Sequence, residues 1–308
     1  MWWWVATALA VGTPEHDAER TDASAADSWE EPLDHSRARS GDLPFLADLP
    51  TQGRLGPLRV RVGRQKAPFL GSYIEDLRSA PLVRRSMAAG AVSADRLVGG
   101  RLVWSTGPVS VVAAGGHPEN LRGDAWDLMG RSEVHLGPVH VGAGLARGHR
   151  HRFAPQLLVA DRFKWLDLEP RDARVRRASA DLSWNPAPIR IDLEAATLTA
   201  KGGGRPVQVA SGATGLSVML TGEKRPVDAR MIPGKPWDPE QGHVGALELG
   251  ARIERVATSG EVNLVVDQLS TGLTAHPLSS VRVPLVWSHA WSESRQEDRV
   301  MLQIAVDR

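Results

Sequence analysis

From Leu55 to the C-terminus, apolar residues recur at every second position over stretches of about ten, separated by clusters of Gly, Pro, Asn and Asp. That is the period of a β-strand, whose successive side chains point to opposite faces. Arg177–Trp184 shows it most clearly: Ala178, Ala180, Leu182 and Trp184 share one face, and Arg177, Ser179, Asp181 and Ser183 share the other. Pro186 and Pro188 break the run. Ile189, Ile191, Leu193 and Ala195 then alternate with Arg190, Asp192 and Glu194, so the two runs predict an antiparallel hairpin. The same period returns in Leu247–Glu254, Val262–Asp267, Val281–Ser288 and Val300–Asp307. Weaker runs lie at Leu58–Gln65, Arg96–Ser105, Val109–Gly115, Val134–Leu136, Val139–Leu145 and Leu216–Thr221. Roughly a dozen strands are predicted, and the longest helical patch surrounds Tyr73–Ala89.

Sandwiches, soluble barrels and membrane barrels share this pattern, so the period by itself defines only the all-β class. Run length tilts the choice. Strands of soluble proteins average about 5–6 residues, whereas several runs here are nearly twice as long, with charges of both signs on one face and aliphatic residues on the other. Such strands suit a wet lumen and a lipid exterior. The expectation is an antiparallel, transmembrane-type β-barrel of about 12–16 strands, open to incompleteness at its N-terminal end. Three segments are read: a signal-like apolar N-terminus over residues 1–12, a polar linker over 13–53, and the barrel domain over 54–308.

Composition removes several alternatives. The 308 residues contain no Cys, which excludes disulfide frameworks, thiolate metal sites and cysteine nucleophiles. The formal net charge of +1 gives no pull toward nucleic acid. The longest apolar run, Trp2–Val11, falls short of the ~18–20 residues of a membrane-spanning helix. Met1–Val11 does resemble the apolar part of an export signal, with Ala8-Leu9-Ala10 as a small-x-small cleavage site, although no Lys or Arg precedes it.

Short motifs sharpen this reading. Val60-Arg61-Val62-Gly63-Arg64-Gln65-Lys66-Ala67-Pro68-Phe69 resembles the strand-to-loop stretch V-x-V-G-[RK]-F-K-x-P-F of the phosphate-selective porin O and P family. Arg84-Arg85-Ser86 follows where that family tends to carry Glu-Arg-Ser. Leu220-Thr221-Gly222-Glu223-Lys224-Arg225 is similar to its L-T-G-E-x-R, and Gly245–Arg252, with Glu248, to its G-A-W-E-L-x-x-R. Leu269–Trp287 resembles its late hairpin. The resemblance is collinear from about Gly53 to the end of the chain. It implies an outer-membrane channel of a Gram-negative-type cell, surrounded by outer-membrane lipid, passing small anions such as phosphate, without a cofactor and assembled as a homotrimer. Three departures accompany it. The chain ends Val306-Asp307-Arg308, not on an aromatic residue; Tyr73 is the only tyrosine; and the polar linker stands where the family carries earlier strands. Two other readings remain open: a barrel-derived structural or interaction protein without selective conductance, and an exported β-sandwich that binds a ligand.

For a porin the chemistry is electrostatic, because Arg and Lys lining a narrow lumen lower the barrier to anions. By strand parity the pore-lining candidates are Arg177, Arg190, Arg252 and Arg282, each with an acidic neighbour among Asp181, Asp192, Glu194, Glu248 and Glu254, so the lumen is mixed in sign. Lys66, Arg84, Arg85, Lys224 and Arg225 lie in loops beside the motifs. Glu223 reads as a turn partner and not as an acid catalyst. His149 and His151 share a strand face, and His135 and His140 lie five apart across Pro138; without a third ligand in reach, both pairs read as solvated loops and no metal site is expected. Gly202-Gly203-Gly204 lacks the GK[ST] ending of a phosphate loop. With no G-x-S-x-G and no H-E-x-x-H, no enzyme is expected.

Overall fold

The computed structural model describes the chain from Thr51 to Val306, apart from residues 71–81, 83–85, 93–95, 119–124, 154–155, 160–162, 168–170, 204 and 225–230. One antiparallel sheet dominates it. Its strands are β1 (Thr51–Leu55), β2 (Leu58–Gln65), β3 (Leu97–Thr106), β4 (Val109–Pro118), β5 (Trp126–Leu136) and β6 (Val139–Phe153). They continue, after a small separate hairpin of β7 (Gln156–Val159) and β8 (Phe163–Asp167), with β9 (Arg171–Trp184), β10 (Ile189–Lys201), β11 (Val207–Met219) and β12 (Ala246–Ser259). β13 (Leu264–Leu278), β14 (Val281–Trp291) and β15 (Gln296–Leu302) complete the order, and the two-residue β16 (Ala305–Val306) pairs with β14. Sequential neighbours pair throughout, from β1 to β15, and no pairing joins those two strands among the described residues. Each alternating run read from the sequence overlaps a strand, although Arg96 precedes β3, Leu220 and Thr221 follow β11, Val262 and Asn263 precede β13 and the last run is split between β15 and β16; the hairpin at Pro186 and Pro188 joins β9 to β10. A short helix, α1 (Met87–Val92), lies in the β2–β3 connection.

Tight turns at one end have a common construction. Gly56-Pro57, Gly107-Pro108 and Gly137-Pro138 close β1–β2, β3–β4 and β5–β6, with Gly φ of +59°, +50° and +59°. Positive φ at the first central residue and the fixed φ of Pro at the second describe a type II′ hairpin turn, whose twist matches that of the strands. Each Pro carbonyl then accepts a backbone N–H from the next hairpin: Ser105 to Pro57, His135 to Pro108 and Asn185 to Pro138, at 3.1, 2.8 and 2.8 Å. The opposite end carries the long β2–β3 and β6–β9 connections, while the long β11–β12 connection lies at the tight-turn end.

Parity holds as expected across β9 and β10. Arg177, Ser179, Asp181 and Arg190 are buried inside, whereas Trp184, Ile189 and Leu193 are exposed outside. The outer face is a belt of large apolar side chains that includes Leu102, Leu128, Leu145, Leu216, Ile253, Leu273, Leu285 and Leu302. Leu145 is 69% exposed, which is out of place in water and at home in lipid. Trp104 and Trp184 lie toward the tight-turn end of the belt, and Trp126 and Trp291 toward the other.

The interior departs from a simply wet lumen. Residues 67–70 and α1 fold inward and pack in a core with Leu97, Met129, Val175, Leu198, Val207, Val209, Val256 and Val266, and Phe69 and Leu70 have no exposed surface. Strands from β3 to β14 contribute to this one cluster, so the sheet curls around the inserted segment. The apolar face of Val262–Asp267 is therefore turned inward onto this plug, not toward lipid as the sequence pattern suggested. Alternation marks two faces; it does not say which one meets lipid when the lumen itself is filled.

Candidate functional site

The lumen holds an apolar plug at its long-loop end together with buried charged clusters along its wall. The motif Gly63–Phe69 makes the junction, because β2 ends at Gln65 and the chain turns straight inward through Ala67, Pro68 and Phe69. The Phe69 carbonyl accepts hydrogen bonds from Arg131 Nη1 at 3.0 Å and Ser179 Oγ at 2.7 Å, from β5 and β9. Ser86 Oγ donates to Glu194 at 3.0 Å, and the Met87 N–H donates to Glu254 at 2.6 Å. The plug is thus held to the wall at both of its described ends.

β6 makes room for it with glycines on the inward side. A Cβ at Gly144 would stand 2.6 Å from the Phe69 carbonyl oxygen, and one at Gly142 would stand 2.1 Å from Arg131 Nη2. Both contacts are below any real Cβ separation, so only glycine permits this close approach. Arg131 is the largest fully buried side chain among the described residues. Its Nη1 and Nη2 fork onto both oxygens of Asp181 at 2.7 Å each, and its Nε meets Glu133. Beside it, Asp127 holds Arg150 at 2.6 Å and Arg177 at 3.4 Å.

The candidate arginines fall as follows. Arg177, Arg190 and Arg282 are buried and inward, and Arg252 lies between them on β12. Arg190 pairs with Asp192 at 2.9 Å and Arg252 with Glu254 at 3.1 Å, as parity predicts. Arg177 takes Asp127 and not Asp181, because the carboxylate of Asp181 is already claimed by Arg131. Lys66 is half-buried at the entry of the plug, and Lys224 is exposed beyond β11. Arg84, Arg85 and Arg225, the leader and the linker up to residue 50 lie outside the described residues. In the second motif, Gly222 adopts φ +84° and the Thr221 hydroxyl donates to Glu223 while accepting the Leu247 N–H at 3.1 Å. Glu248 is buried and faces His276 Nε2 at 3.6 Å.

Three further arginines matter that parity on the stronger runs did not single out. Arg59 and Arg61 on β2 and Arg101 on β3 face the lumen, and Arg61 stands directly across from Arg101 in the strand register. No ion pair to Arg61 or Arg101 occurs among the described residues, and the buried Arg101 Nε has no hydrogen-bond acceptor there. Like charges directly opposite on a sheet repel, and Glu133 is the carboxylate that acts electrostatically on Arg101. The V-x-V-G motif contained Arg61, but only the register places it against Arg101. Glu133, His135 and His140 meet nearby at the tight-turn end, with the two imidazoles stacked at 4.1 Å.

No protein-family model matches the sequence, and neither does any curated protein. Solved structures do match. The loop L8 deletion mutant of OmpT, an outer membrane protein of Vibrio cholerae, aligns over 83% of this chain and 77% of its own, with 10% identity and a TM-score of 0.57. An anion-selective porin from Comamonas acidovorans aligns over 80% and 74%, with 11% identity and a TM-score of 0.52. A trimer form of the Vibrio cholerae OmpT aligns over 78% and 69%, with 13% identity and a TM-score of 0.50. The fold is that of the outer-membrane β-barrels, as the strand pattern predicted. At such identities the likeness defines fold alone.

Proposed function

We propose that the chain is an outer-membrane channel that passes small anionic solutes passively, with phosphate-type anions as its class of substrate. The observation that carries this reading is the Arg61–Arg101 pair facing the lumen without an ionic partner among the described residues. Arg59 lies on the same face of β2, so three arginines of β2 and β3 line one side of the lumen, where an anion would find donors. The plug of residues 67–70 and α1 narrows the passage, so solutes must be small or the plug must shift. The belt of outward aliphatics with tryptophans toward both ends supports a site in the outer membrane, contacting its lipid. A shallow outer groove of about 690 Å³ runs over the small residues Ala143, Ala180, Ala195 and Gly212. Small side chains there leave room for a second barrel to approach, and a homotrimer is the assembly proposed, as in the trimer form of the Vibrio cholerae OmpT. The resemblance to the phosphate-selective porin O and P family fits this reading, and no cofactor or chemical step enters it.

Planar-bilayer recordings under a salt gradient test the proposal. Arg61→Ala with Arg101→Ala should move the reversal potential toward cations. An unchanged potential in an otherwise conducting barrel would remove the pair from the pathway.

A further inference from the structure

The hairpin of β5 and β6 brings together three metal-ligating side chains that the sequence alone left apart. Glu133 and His135 alternate on the inward side of β5, and His140 faces His135 across the Gly137-Pro138 turn. One donor atom from each lies within 4.8 Å of the others. The imidazoles are parallel to within 9°, with centroids 4.1 Å apart. His140 Nε2 is buried and has no hydrogen-bond partner among the described residues. Glu133 uses Oε1 for Arg131, so Oε2 remains as a donor toward the histidines. A buried imidazole nitrogen without a partner is costly, and an electron-pair acceptor beside it removes the cost.

We infer that Glu133, His135 and His140 form a binding site for a borderline divalent transition-metal ion of the zinc class at the tight-turn mouth of the lumen. Two imidazoles with one carboxylate suit such an ion far better than Ca²⁺ or Mg²⁺, which prefer oxygen ligands. Tetrahedral bonds of about 2.0–2.1 Å place donor atoms about 3.4 Å apart, so small side-chain rotations close the present 4.8 Å cluster around an ion. All three ligands come from one tight hairpin, which keeps the chain entropy lost on closure low. A coordination position left toward the lumen would hold water or a small anion. The third ligand was missed in the sequence because Glu133 is separated from His140 by the turn, and only the hairpin register returns them to one place.

The test uses the full chain refolded in detergent, titrated with Zn²⁺ by calorimetry and with Co²⁺ by visible absorption. One ion per chain is expected, with a Co²⁺ ligand-field spectrum. His135→Ala with His140→Ala should weaken binding at least about tenfold, with heat-modifiable gel mobility retained, and His149→Ala should leave it unchanged. Wild-type protein that takes up no Zn²⁺, equal uptake by the double variant, or loss in His149→Ala alone would overturn the site. Should the double variant fail to fold, histidine modification of the wild type decides. Zn²⁺ should protect His135 and His140 from diethylpyrocarbonate, and equal labelling with and without Zn²⁺ would overturn the assignment. Metal binding is read independently of conductance, so this site and the channel can fail separately.

Discussion

Arg131 is a residue whose environment leaves it little freedom: Asp181, Glu133 and the Phe69 carbonyl together take its Nε and both terminal nitrogens. Removing one side of a buried ion pair strands the other, at a cost of about 3–5 kcal/mol. Arg131→Met should therefore destabilise the refolded barrel by that order, measured as a lower urea midpoint for loss of the heat-modifiable band. Loss well below that range would mean water already shares the site. Gly144 tests the opposite error, an atom too many. Gly144→Ala drives a Cβ to 2.6 Å from the Phe69 oxygen, so the plug should lift and single-channel conductance should rise; an unaltered conductance would show that the wall yields instead. At this scale the sequence was only partly legible. Arg177, Arg190, Arg252 and Arg282 could be assigned to the interior because parity is a local property. Arg101 and Arg131 could not be weighted, since their roles depend on partners that β-pairing and the inserted plug supply from far along the chain.

The strand is the element that carries the argument, and its two faces obey different solvents. Under the proposed outer-membrane location, outward positions such as Leu145 meet lipid, where an arginine near the midplane costs about 2–4 kcal/mol. Leu145→Arg should lower folding yield into bilayers accordingly, whereas Arg176→Leu, at a charged exposed position two register steps toward the long-loop end, should be close to neutral. Equal effects would place the lipid boundary elsewhere. Strand identity was readable from period 2, whereas the tight turns at Gly56-Pro57, Gly107-Pro108 and Gly137-Pro138 were legible only as Gly- and Pro-containing breaks between runs. The plug was not readable. Phe69 and Leu70 belong to no periodic run, and their burial follows from inward glycines on β6 that look, in the sequence, like weak strand formers.

For the whole molecule, the filling of the lumen is the fact that most constrains function. Under the proposed function, passage runs through what the plug of residues 67–70 and α1 leaves open, with Arg59, Arg61 and Arg101 facing the lumen. The mixed-sign interior read from the sequence is present, yet most of its described carboxylates are already engaged: Asp127, Asp181, Asp192 and Glu254 each hold an arginine. The field left over depends on which charges lie outside these pairs, a balance no composition count reveals. The most direct measurement is the reversal potential of single channels formed by the refolded chain in a planar bilayer separating unequal KCl concentrations. The account predicts small discrete conductance steps and a potential of the sign given by chloride preference. A membrane-inserted, folded barrel that shows no steps, or steps with a cation-selective potential, would contradict it.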